Sequence, residues 1–166
     1  AFHEFQALGL LDGKVQTKVF AAQATGCSPV TTAIKNGTDI IKPVKPNTIA
    51  KSIAIGNPAD GYYGVRTANE SGGYGEDITD MEVIEAMKLL AETEGIFTET
   101  AGGVTVGVTQ KLVKQGRIKP DETTVICITG NGLKTVEALE GHYAAPVVIE
   151  PKLDSFEDVY SNSITV

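Results

Sequence analysis

Apolar positions along the chain alternate between helical and strand spacing, and that alternation is the first structural signal. The clearest helix is TDMEVIEAMKLLAETEG (79–95). Val83, Met87 and Leu90 share one face, Thr79 and Glu82 fit a capping box, and Gly95 ends it. SPVTTAIKNG (28–37) predicts a second helix, with Ser28 as N-cap, Pro29 in the first turn and Gly37 past the end. At the start, Phe2, Phe5, Leu8 and Leu11 share a helical face that breaks at Gly13 and Lys14. Residues 100–116, TAGGVTVGVTQKLVKQG, open with small residues and valines and continue as an amphipathic helix to Gly116.

Strand-like runs lie between these helices. KVFAAQAT (18–25) predicts a short buried strand and IFTE (96–99) another. TTVICIT (123–129) is the best strand of the chain and is expected at the centre of the sheet. APVVIEP (145–151) is a candidate last strand, LKTVEALEG a short helical turn, and residues 152–166 an acidic, amphipathic tail. A short helix is expected from Thr48, after the proline-bearing connector 38–47. Residues 56–78 hold six glycines and little periodicity, which predicts one long loop and a candidate site or interface. Strands alternating with helices predict an α/β fold, a three-layer open, mainly parallel sheet with helices on both faces.

Length and charge narrow this picture. The 166 residues suit a single α/β domain, 1–166. Lys plus Arg number 14 against 21 Asp plus Glu, a net charge of -7, and no basic run occurs, so nucleic acid is not an expected partner. No apolar run approaches the roughly 18 residues of a membrane helix, so no membrane partner is expected and a cytoplasmic location is. Cys27, Cys127, His3 and His142 lack the spacing of metal ligands, and no metal site is expected. The missing initiator Met and a helix entered part-way predict a fragment of a longer protein.

In open parallel sheets, ligands sit beyond the carboxyl ends of the strands. IFTETAGG and ICITGNG each end in a polar side chain, Glu99 or Thr129, and then glycines that let a ligand approach the main chain. On the residues alone, tight turns closed by glycine and a Thr129 that caps the next turn account for the same pattern. No P-loop, no dinucleotide-binding GxGxxG after a strand and no GxSxG elbow occurs, which leaves hydrolase chemistry unsupported.

KSIAIGNPADG (51–61), ESGGYGEDITDMEVIEAMKLLAETEGIFTETAGGVTVGV (70–108) and VICITGNGLK (125–134) together resemble, in order and spacing, the C-terminal portion of the threonine synthase family. That family belongs to the tryptophan-synthase-β-like, fold type II enzymes that use pyridoxal phosphate. FHEFQALGLLD and QATGCSPVTTAI extend the resemblance to nearly the whole chain except about its last 25 residues. It implies part of the large cofactor-binding domain of an enzyme that converts O-phosphohomoserine and water to threonine and phosphate.

It also implies cofactor contacts at Thr129 and Gly130, at Gly56 and Asn57, and at Glu99. Thr129 would donate its hydroxyl to the pyridine nitrogen, and the main chain at Ile55, Gly56 and Asn57 would lie against the ring face. Relatives often read Glu-Pro-Ala-Ser where this chain has Glu99 to Gly102, and His where it has Asn131. No catalytic residue is assigned, because the Schiff-base lysine is expected upstream of Ala1. The missing N-terminal half is then a required partner, this chain alone is expected to be inactive, and a homodimer stays open. Same-family alternatives are a cysteate synthase or a threonine dehydratase-like lyase. The alternative from another class is a non-catalytic α/β module that binds a small anion or a partner through 56–78.

Overall fold

The computed structural model describes residues 2–13, 15–143 and 147–163. Two strands, β1 (Ala21–Ala24) and β2 (Gly75–Ile78), pair in parallel with Ala21 opposite Gly75 and Ala24 opposite Ile78. The described residues form six α-helices, in chain order α1 (Phe2–Ala7), α2 (Pro29–Lys35), α3 (Gly61–Glu70), α4 (Asp80–Glu94), α5 (Thr100–Lys114) and α6 (Leu153–Ser163).

The layers arise from strand alternation. Ala22 and Ala24 of β1, with Ile78 of β2, face the main core of Val83, Met87, Val104, Val108 and Leu112 from α4 and α5. Ala21 faces the other way, toward Ala33 and Ile34 of α2 and Val65 and Ala68 of α3. Helices therefore cover both faces of a parallel sheet, the three-layer α/β architecture expected from the sequence.

Local signals act mostly where they are read. The Thr79 side chain accepts from the Glu82 amide while the Glu82 carboxylate accepts from the Thr79 amide, and Gly95 closes α4 at φ 67°. Ser28 occupies the N-cap position of α2 but makes no side-chain cap bond. Gln23 of β1 does that work instead, its Oε1 accepting from the amides of Val30 and Thr31 at 2.9 and 3.0 Å.

The structure corrects several expectations. Residues 56–78 are not one loop, since they hold α3 and β2. The buried stripe of α3 is Gly61, Val65 and Ala68, too small to give a strong apolar period, and β2 reads GEDI, too acidic to look like a strand. Residues 123–129 form no ladder, and Val125 is 85% exposed. A strand exists only when a neighbour supplies lateral hydrogen bonds. Among the described residues, the one bond to the main chain of 123–128 is Thr105 Oγ1 donating to the Cys127 carbonyl at 3.2 Å. IFTE contributes only a single antiparallel bridge, Thr98 to Asn131. Residues 147–150 are irregular and exposed, and 144–146 lie outside the described residues. The Phe2, Phe5, Leu8 and Leu11 stripe likewise stays exposed.

Candidate functional site

Two segments that leave the core at the same end meet where α5 begins. Thr98 bridges Asn131, the Glu99 amide donates to the Gly130 carbonyl at 3.0 Å, and the Gly132 amide donates to the Phe97 carbonyl at 3.0 Å. Thr98, fully buried, adds its hydroxyl to the Gly130 carbonyl at 3.2 Å. These bonds lock the turn after 123–129 onto the first turn of α5.

Glu99 lies at the centre of this junction as the N-cap residue of α5, only 3% exposed. Its Oε2 is paired with Lys134 Nζ at 2.9 Å and accepts from Ser52 Oγ at 3.4 Å. A buried carboxylate needs such partners, because desolvating an unpaired charge costs several kcal/mol, on the order of the penalty for one buried ion. Gly130 is held against the same carboxylate. A Cβ at this position would stand 1.9 Å from Glu99 Oε1, so any larger residue would have to displace the carboxylate. Thr135 ties the junction from below, its Oγ1 accepting from the Thr100 amide at 3.2 Å.

The sequence-derived site residues divide accordingly. Glu99 and Gly130 are in direct contact, and Thr129 precedes Gly130 with its side chain exposed and its hydroxyl without a partner among the described residues. Gly56 and Asn57 come after the 3-10 turn Lys51–Ile53 that delivers Ser52 to Glu99. Gly56 is buried against the 42–47 connector. Its carbonyl accepts from the Val44 amide at 2.9 Å, and a Cβ there would meet the Val44 carbonyl oxygen at 1.9 Å. Asn57 is exposed, and among the described residues no hydrogen bond joins Gly56 or Asn57 to Glu99 or Thr129.

Ser52 and Lys134 are members of this cluster that sequence reasoning passed over. Lys134 had a local signal: it ends the 3-10 turn Gly132–Lys134, which Asn131 caps by accepting from the Leu133 amide at 2.9 Å, and that turn aims it back over the strand end. Ser52 had none, since it lies 47 residues from Glu99.

The junction brings together an exposed Thr129 hydroxyl with no partner among the described residues, a Gly130 main chain packed on the Glu99 carboxylate, and Lys134 paired with that carboxylate; a ring nitrogen could accept from the free hydroxyl. Thr100 Oγ1, buried without a hydrogen-bond partner among the described residues, lies one residue from Glu99.

Comparison with known proteins shows the family. A protein-family model described as pyridoxal-phosphate dependent enzyme matches residues 5–130. Threonine synthase of Methanocaldococcus jannaschii is 40% identical over 150 residues, covering 90% of this chain and 36% of the relative. That of Methanosarcina acetivorans is 37% identical over 158 residues, covering 95% and 38%. The chain thus spans under two fifths of the length of either relative. Among solved structures, maize serine racemase superposes with a TM-score of 0.55 at 20% identity over 76% of this chain and 40% of its own. A fungal L-serine ammonia-lyase from Rhizomucor miehei gives 0.58 at 16% identity over 86% and 45%. At those identities the two structures speak to the fold alone.

Proposed function

The chain belongs to the pyridoxal-phosphate dependent enzyme family with a type II fold, and from that footing we propose that it is the C-terminal part of a threonine synthase. The whole enzyme would convert O-phosphohomoserine and water to threonine and phosphate in the cytoplasm. The observation that carries this reading is the Thr129–Gly130 turn packed on buried Glu99, within a chain 40% identical to a threonine synthase over 150 residues.

When bound, pyridoxal phosphate supplies an electron sink for carbanion chemistry on an amino-acid substrate. Thr129 would donate a hydrogen bond to its pyridine nitrogen. As a neutral alcohol, Thr129 keeps its proton where an aspartic acid would surrender one, which moderates the sink and suits elimination and replacement. Gly130 lets the main chain pack directly on the Glu99 carboxylate, and Gly56 and Asn57 would present main chain to the ring face. Glu99, clamped by Lys134 and Ser52, fixes the turn at Gly130 through its amide and so would orient Thr129. No lysine of this chain lies in the Ser-Phe-Lys-Asp setting of the family's Schiff-base residue, so the chain by itself would not turn over.

A chimera tests this, with the present chain replacing the matched segment of the M. jannaschii enzyme. It should bind pyridoxal phosphate and release phosphate from O-phosphohomoserine, while the chain alone does neither. A chimera that acts on serine but not on O-phosphohomoserine would overturn the substrate. A cofactor absorption band in the chain alone, lost on substituting a single lysine, would overturn the division of labour.

A further inference from the structure

We propose that Asp80, the first residue of α4, is a positioning residue of the candidate site: its carboxylate sets the place of the main chain at Ile55, Gly56 and Asn57. The inference rests on the functional reading only in taking that stretch as the one that faces the cofactor ring.

The segment that ends there is tied to several elements in turn. Where it begins, the Asn47 amide donates to the Gly26 carbonyl, just past β1, at 2.9 Å, and where it ends the Val44 amide donates to the Gly56 carbonyl at 2.9 Å. Between these ties, three carboxylates from different parts of the chain reach it. Glu137 meets Lys51, Glu99 accepts from Ser52, and Asp80 accepts from Thr48 and Ile49.

The three are not equal. Lys51 and Glu137 stand 3.3 Å apart with side chains 71% and 49% exposed, and water screens such a pair. Ser52 reaches Glu99 at 3.4 Å, the long end of a hydrogen bond. Asp80 instead spends both oxygens at one place. Oδ1 accepts from the Thr48 hydroxyl and Oδ2 from the Ile49 amide at 3.1 Å, two charge-assisted bonds at a part-buried position. A carboxylate only accepts, so the Thr48 hydroxyl donates to it and keeps its lone pairs for the Ala50 amide at 3.1 Å.

From Ile49 the hold passes along the main chain without a gap. The Lys51 amide donates to the Ile49 carbonyl at 2.8 Å, Ile53 to Ala50 at 3.2 Å, Ala54 to Lys51 at 3.2 Å and Ile55 to Ile53 at 2.9 Å. Ala50 is fully buried and Ile49 and Ile53 pack on the main core, which leaves the turn little room to pivot. An unbroken run of local bonds thus joins Asp80 to Ile55, one residue before Gly56. The anchor itself is firm, because Thr79 and Glu82 cap α4 while Val83 and Met87 lie in the core.

Four single variants separate this role from general support of α4. Asp80→Ala removes both bonds, Thr48→Val removes the hydroxyl, and Thr48→Ser keeps it. Thr79→Ala weakens the same helix end, but its side chain bonds to Glu82 and not to 48–50. In the whole chain, hydrogen exchange at the amides of Lys51, Ile53, Ala54 and Ile55 should quicken at least about tenfold in Asp80→Ala and Thr48→Val. Thr48→Ser and Thr79→Ala should change it by less than about threefold. In the chimera, the dissociation constant for pyridoxal phosphate, read by equilibrium dialysis, should rise at least about tenfold in the same two variants, the effect of one lost charge-assisted bond. Combining Asp80→Ala with Thr48→Val should add nothing further, and Thr48→Ser should bind as the parent does.

The proposal is overturned by parental exchange in Asp80→Ala, or by Thr79→Ala loosening the same amides, which would make Asp80 a support of α4 and no more. Loosened amides with an unchanged dissociation constant would overturn it as well, and so would additive effects of Asp80→Ala and Thr48→Val. A parent chimera that binds no pyridoxal phosphate would sink the functional reading, while exchange in the whole chain would still decide whether Asp80 holds 51–55.

Discussion

Replacing Glu76 with Gln should destabilise the chain at neutral pH and lose that effect in acid. The Glu76 side chain is 6% exposed and meets Lys35 and Lys111 at 2.7 and 2.6 Å, from helices on opposite faces of the sheet. Breaking a fully buried pair costs about 3–5 kcal/mol and an exposed pair at most about 1. Here the carboxylate is buried, the amines are 30% and 36% exposed, and Gln keeps an acceptor, so about 2 kcal/mol is expected, or about 4–8 °C in Tm for a chain of this size.

The pH dependence isolates the charge. Burial pushes the Glu76 carboxyl up, but hydrogen bonds and charge from Lys111 and Lys35 outweigh it and hold the group below the usual glutamate range. A carboxylate whose folded value is depressed contributes fully above its unfolded value of about 4.3, and the contribution is lost as pH falls through the lower folded value. Urea midpoints of the parent and Glu76→Gln should therefore differ by a constant amount above about pH 5 and converge below about pH 4.3. A deficit of the same size at both ends would refute the electrostatic account and point to packing.

Further outcomes are expected at the candidate site and in α4. Gly130→Ala should displace Glu99, because the new Cβ falls 1.9 Å from Oε1; cofactor binding by the chimera should weaken while Gly64→Ala, whose Cβ would make only an ordinary 3.8 Å contact with Val30, leaves it unchanged. Thr129→Asp in the chimera should shift the bound-cofactor spectrum and the balance between replacement and side reactions, and an unchanged spectrum and rate would count against Thr129 as the ring-nitrogen donor. Thr79→Ala removes half of the α4 capping box and should cost about 1 kcal/mol in urea unfolding, with no change in ligand-dependent readouts.

Glu99 and Gly130 stood out in the sequence because each ends a recognisable run in a glycine-rich turn, and the structure puts them in contact. Ser52 and Lys134 were not, since their roles consist of reaching a carboxylate elsewhere in the chain. Thr129 was expected to end a central strand, yet the segment before it is exposed and unpaired. Its β-branched composition reports a preference for extended backbone, whereas pairing depends on a neighbour no local pattern encodes.

By itself the sequence determined the elements whose bonds close within a few residues: the capping box of α4, Pro29 in the first turn of α2, and Gly95 in a left-handed stop. Tertiary structure decided the rest. GEDI becomes a strand because Lys35 and Lys111, both distant in sequence, neutralise the Glu76 carboxylate and β1 pairs its main chain. VICIT stays unpaired because, among the described residues, no segment pairs with it. Helical hydrogen bonds and caps are local and can be read along the chain, while a sheet is made of bonds between segments that only the fold brings side by side.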